Sequence, residues 1–164
     1  MIMITRVSLM FLLAFAGNFV SFGQNHWRRD IETIKVLKST EKEVEVILGR
    51  AKERYSDVGE YSTKDGLFTV IYSQGRCIEN PKSKYDVGRG IVTSVDFTPQ
   101  KKILFSSLSV DVSKWPSEKT DDVAPPTISF YNPSKGINYT IHGDFLIYVE
   151  IYPPTIPSPL DCPR

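Results

Sequence analysis

Two histidines and two cysteines are all that this 164-residue chain offers to metal or thiol chemistry. No H-E-x-x-H zinc motif occurs, no G-x-S-x-G nucleophile elbow, and no glycine-rich phosphate loop; Val87-Gly88-Arg89-Gly90 is turn chemistry. Cys77 and Cys162 stand too far apart for a C-x-x-C motif. These gaps exclude the common motif-bearing enzymes, and neither a metal nor a cofactor is expected. An excess of one charge is lacking too. Twenty basic residues face 19 acidic ones, with no basic stripe. Nucleic acid is excluded as a partner on that ground, and nothing points to an anionic membrane surface. Long apolar runs are short as well. Val7 to Phe22 contains Asn18 and falls below the roughly 20 residues that a spanning helix needs.

What is present begins with a leader. Arg6 precedes an apolar run from Val7 to Ala16, then small residues. That is the layout of a secretory signal peptide. Cleavage fits after Ala16 or after Gly23, and the second leaves the longer apolar region. The expectation is a signal peptide over 1–23 and one secreted or periplasmic domain over 24–164, with an uncleaved anchor as the alternative. No cysteine lies near the cut, so no lipid attachment is expected and no membrane span after cleavage. In an exported chain an even cysteine pair suggests a disulfide, here Cys77–Cys162. Closing about 85 residues is worth roughly 4–5 kcal/mol in the chain-entropy account. The alternative is two free buried thiols.

Ser39 to Gly49, STEKEVEVILG, reads as a short helix. Thr40 and Glu43 form a capping box, Glu41 and Glu43 complement the helix dipole, and Gly49 suits the C-cap. Val44, Ile47 and Leu48 make one apolar stripe, with Glu41, Lys42 and Glu45 solvated. Under three turns, the helix must lean on a sheet. Strand-like runs follow: Gly66 to Ser73, Gly90 to Pro99, Thr127 to Asn132 and Phe145 to Tyr152. Strict alternation puts Ile91, Val95 and Phe97 on one face, with Val92, Ser94, Asp96 and Thr98 on the other. Lys101 to Trp115 suggests a strand through Leu108, Val110 and Val112, then a helical turn. Ser117 to Asp122 reads as a loop. The tail from Pro153 is proline-rich and should run extended.

The chain partly repeats. Tyr61 to Ser73 parallels Tyr131 to Gly143, with Gly66 on Gly136. Ile91 to Pro99 parallels Phe145 to Pro153, with Val95 on Val149 and Asp96 on Glu150. Half-repeats over roughly 31–99 and 101–153 follow, with a tail over 153–164. The alternative is two hairpins alike because strand composition is narrow. The fold class expected is α+β: an antiparallel sheet with one or two short covering helices.

Chemistry-bearing residues are few. His26 falls beside the cleavage site, in a frayed terminus. His142 ends a strand beside a turn, with no marked nucleophile or carboxylate around it. Glu118, Asp121 and Asp122 suggest a solvated loop before a calcium site. Asn138-Tyr139-Thr140 is a sequon by letter only, inside a strand. The last strand is unusual because it is apolar on both faces. Phe145, Ile147, Val149 and Ile151 can face the helices, leaving Leu146, Tyr148 and Tyr152 with Glu150 on the other face. A half-exposed sheet normally shows a polar second face. These four residues form the candidate binding surface, or else they lie under the tail.

LKSTEKEVEVILG, GLFTVIYSQGRC, LSVDVSKW and the terminal CP resemble an uncharacterised exported protein family known mainly from Acidobacteria, which implies no activity. More distantly, STEKEVEVILG resembles the T-x-x-E-V-x-x-x-L-G segment of BamE-like and β-lactamase-inhibitor-protein-like domains. That resemblance implies a small helical unit on an antiparallel sheet, sometimes in tandem. The lipobox cysteine of BamE lipoproteins is missing. The function expected is non-enzymatic binding of a protein or cell-envelope component through the aromatic sheet face. The alternatives are a small hydrolase without a recognisable motif and a purely structural envelope protein.

Overall fold

The structure is a computed structural model and describes residues 26–80, 84–121, 124–155 and 160–162. The leader with both cleavage positions, Asp122, and tail residues 156–159 lie outside them.

Two short helices open the described chain. In α1 (His26–Thr33), Trp27 and Ile31 stand one turn apart and are buried, and Ile34 continues their stripe beyond the helix. His26 therefore starts a helix instead of ending a frayed terminus. In α2 (Glu41–Leu48) the capping box forms as the sequence predicts. The Glu43 amide donates to the Thr40 hydroxyl at 3.3 Å, and the Thr40 amide donates to the Glu43 carboxylate at 2.7 Å. Val44 and Leu48 are buried and Ile47 packs against the same cluster. Lys42 and Glu45 are exposed, while Glu41 is half-buried beside Arg54.

The rest of the fold is one antiparallel sheet. Strands β1 (Glu53–Tyr55), β2 (Val58–Ser62), β3 (Gly66–Tyr72) and β4 (Val92–Pro99) form a meander. A two-residue strand β5 (Ile103–Leu104) follows. A second meander comprises β6 (Ser117–Thr120), β7 (Thr127–Asn132), β8 (Ile137–His142) and β9 (Phe145–Ile151). The meanders join where β4 pairs β9, so the order is β1-β2-β3-β4-β9-β8-β7-β6, with β5 on β9. This is the α+β class expected from the sequence.

The core lies between the helices and one face of the sheet. Trp27 stacks on Phe97 with ring centres 4.8 Å apart, and Phe68 packs on the same ring. Tyr61 and Tyr72 share a buried hydroxyl contact of 2.6 Å. Ahead of the second meander there is no helix. A 3-10 turn at Phe105–Leu108 does the covering, with Phe105 stacked on Phe130 and Leu108 almost fully buried. The strand expected through Leu108, Val110 and Val112 does not form. Ser117 to Thr120, expected as a loop, pairs with β7 as an edge strand, because hydrogen bonding to a formed strand outweighs its polar composition.

Two bulges break the strict alternation. Ile71 pairs Ser94 while Tyr72 pairs Val92, so Thr93 is extra. Thr140 pairs Tyr148 while Ile141 pairs Leu146, so Ile147 is extra. Each bulge turns one apolar residue to the helices. Val92 is fully buried and Leu146 is 2% exposed, both in the core. Ile147, expected to face the helices, is 40% exposed. The residue match of Gly66 with Gly136 fails as well. Gly66 lies inside β3, whereas Gly136 is a turn residue at φ +62°. Placing them together sets core Phe68 against Asn138, which faces away from the helices.

Candidate binding face

The sheet face away from the helices is the open one. Alternation from the buried side places Glu60 (β2), Thr69 (β3), Asp96 (β4), Glu150 (β9) and Asn138 (β8) on it. The register makes them one continuous row. Glu53 pairs Glu60, Glu60 pairs Thr69, Thr69 pairs Asp96, Asp96 pairs Glu150, Glu150 pairs Asn138, and Asn138 pairs Tyr131. A polar rib thus crosses six neighbouring strands and ends on Tyr131 in a seventh. Two of its steps, Glu53 to Glu60 and Asp96 to Glu150, set like charges directly opposite, an arrangement that destabilises a sheet. With Glu118 on β6, five carboxylates stand on this face, and its strands contribute no Lys or Arg to it. Among the described residues neither Asp96 nor Glu150 makes an ion pair, and Lys84, from the loop after β3, is the cation whose charge reaches Glu150.

The central carboxylates are held by neutral donors. Burial pushes the Asp96 carboxyl above its ordinary value, against the pull of hydrogen bonds from Tyr148 and Ser94. Burial raises Glu150 too, opposed by a hydrogen bond from Asn138 and reinforced by the Asp96 charge. Tyr148 holds its proton more tightly than free tyrosine because of burial and then Asp96. Tyr152 is raised by burial, with Glu150 and Tyr131 adding to it. Asn138 is 8% exposed, and its Oδ1 has no hydrogen-bond partner among the described residues.

One end of the face is walled. The loop after β3 is tied to the tail by the Cys77–Cys162 disulfide, with Cα atoms 5.7 Å apart. Backbone bonds from Asp86 to Leu160 and from Cys162 to Lys84 reinforce the tie. Between this wall and the sheet lies a cavity of about 430 Å³, lined by Ser94, Glu150 and Tyr152 below and by Asn80, Lys84 and Tyr85 above. The tail's first residues bond to the β7–β8 turn, Tyr152 to Gly136 and Thr155 to Pro133, and so follow the rim of the face.

Of the four residues singled out in the last strand, Tyr148, Glu150 and Tyr152 lie together on the open face, and all are half-buried. Leu146 does not join them, because the bulge at Ile147 sends it into the core. Asp96, Asn138, Tyr131 and Lys84 were not foreseen as part of the surface. The match of Asp96 with Glu150 in the repeat was the available signal, since it places the two acids at equivalent depths in adjoining strands.

The remaining candidates stand apart. His142 sits in the β8–β9 hairpin with Nδ1 3.5 Å from the Thr127 hydroxyl. Four residues along β8 separate it from Asn138, roughly 13 Å at strand rise. Asp121 pairs with Lys119 at 2.8 Å, and Glu118 accepts from the Tyr131 hydroxyl. Among the described residues no three acidic, His or Cys side chains gather for a metal. No helix among them is long and apolar enough to cross a membrane. The chain matches no protein-family model, no curated protein and no solved structure.

Proposed function

We propose that this is a secreted or periplasmic, non-enzymatic binding domain whose open sheet face docks a protein with a basic surface. The acidic rib carries the reading. Facing carboxylates cost stability in a sheet, and among the described residues no cation within 4 Å offsets the central pair. A partner's Lys or Arg side chains would neutralise them on docking, so binding recovers what the free domain forgoes. Tyr148, Tyr152 and Tyr131 add the amphipathic rings common in interfaces. The same charge narrows the envelope reading, because an acidic face repels anionic lipid and anionic polysaccharide. The chain's net charge is only +1, so the acidity is local to this face. The disulfide supports the exported setting.

A second reading draws on the same pair. Two half-buried carboxyls with raised pKa values beside a cavity can serve a hydrolase. It would use Asp96 and Glu150 without His142, which is too distant to join them.

The test uses the immobilised mature domain and the proteins of its own extracellular or envelope fraction. Capture should fall as salt rises and should be lost in Glu60→Lys/Glu118→Lys, which reverses two rim charges outside the central pair. Capture that is indifferent to both changes would overturn the reading.

A further inference from the structure

We infer that Asp96, Glu150 and Asn138 form a receptor for one guanidinium group, so that an arginine side chain anchors the partner at the centre of the sheet. This rests on the face being the docking surface and adds the chemistry at its middle.

The three residues are successive steps of the rib, on β4, β9 and β8. Side chains directly opposite in an antiparallel sheet have Cβ atoms about 4.5–5.5 Å apart, so the three head groups converge. What they offer is unequal. Ser94 places one donor on Asp96 at 3.4 Å, while Tyr148 beside Asp96 and Asn138 beside Glu150 favour the charged forms of the two acids. Each carboxylate has roughly four acceptor positions, so most stay open. The independent observation is Asn138. More than nine-tenths buried, it stands opposite Glu150 on the same face, and among the described residues its Oδ1 has nothing to accept from. An unmet buried acceptor beside two under-used carboxylates describes a site complementary to a group that only donates.

Guanidinium fits that demand better than the other cations. It carries five N–H donors in a flat fork, accepts nothing and stacks on aromatic rings. Tyr148 in β9 and Tyr152 just past its end flank Glu150 on the same face, which supplies ring surface beside the acids. The cavity next to Glu150 has room for the alkyl stem, with Tyr85 on its far wall. Calcium prefers six to eight oxygens, more than the five that two carboxylates and an amide can deliver, and among the described residues no third acidic group gathers here. A lysine ammonium brings the charge without the planar fork.

The experiment titrates the intact oxidised protein with N-acetyl-arginine methylamide at fixed ionic strength. The readout is the side-chain amide NMR signal of Asn138. A saturable shift in the millimolar range is expected, as for one small charged group. The lysine and citrulline analogues should bind at least about tenfold more weakly, since one lacks the fork and the other the charge. Glu150→Gln and Asp96→Asn, each checked for a retained circular-dichroism spectrum and cooperative unfolding, should each weaken the arginine midpoint by about tenfold or more. A flat arginine titration overturns the receptor, as does equal response to lysine, or a calcium chloride titration that saturates first at the same signal. If arginine fails while capture still depends on Glu60 and Glu118, only the anchor is wrong. If capture also fails to respond, the docking face is wrong with it.

Discussion

Glu150 has Asp96 on one side and Asn138 on the other, and burial makes both acids hold their protons to higher pH than they do in an unfolded chain. The sign of the linkage follows. A folded state that binds protons more tightly loses stability as pH rises, starting near the ordinary values of 3.8 for Asp96 and 4.5 for Glu150 and ending above the raised folded values. Glu150→Gln removes the titration and the facing charge together. Its urea midpoint should therefore exceed that of the natural protein at neutral pH, and the gap should close as the natural carboxyl protonates below about pH 4. A gap that widens on acidification would show that Glu150 is stabilised by its charge, against the account of an unrelieved pair. This cost belongs with the binding role, because a docked cation would cancel it.

At the scale of elements, α2 was the part most legible in the sequence. Thr40, Glu43 and Gly49 each act locally, within four residues, so their letters suffice. The stripe of Val44 and Leu48 then fixes the buried side. Leu48→Ala should cost roughly 2–5 kcal/mol in urea unfolding, and a loss under about 0.5 kcal/mol would mean that the helix is peripheral to the core. The strands β3, β4, β7 and β9 were legible from their β-branched and aromatic runs. Their facing was legible only up to the bulges. Nothing in the letters Val92-Thr93-Ser94 or Leu146-Ile147-Tyr148 announces an extra residue, because a bulge is set by what the paired strand requires. Past each bulge the parity reverses, which is how Leu146 passed from the supposed surface into the core. The edge strands β1 and β6, and β2 beside the first of them, were hidden for another reason. They are short or polar and gain their structure from pairing, a tertiary effect. The rib was invisible for the same cause: Glu53, Glu60, Thr69, Asp96, Asn138 and Glu150 are scattered in sequence and align only through register.

The whole molecule is two meanders sharing a seam at β4 and β9, with helices on one side, an acidic aromatic face on the other and a loop-and-tail wall at one end. The wall depends on Cys77–Cys162, which spans 85 residues. Replacing both cysteines with serine should lower unfolding stability by about 2–4 kcal/mol and leave the sheet intact by circular dichroism. A larger loss with collapse of the β signal would mean that the wall is part of the folding core. The central claim is that the open face, and not the helix face, binds the partner. The most direct measurement is calorimetric affinity for a captured partner of three proteins: the natural domain, Tyr148→Ser/Tyr152→Ser, and Val46→Ser, which alters an 86%-exposed apolar residue on α2. The tyrosine variant should lose about tenfold or more in affinity while its stability falls by only about 1 kcal/mol, and Val46→Ser should bind as the natural domain does. Unchanged binding by the tyrosine variant, with weakened binding by Val46→Ser, would contradict the account.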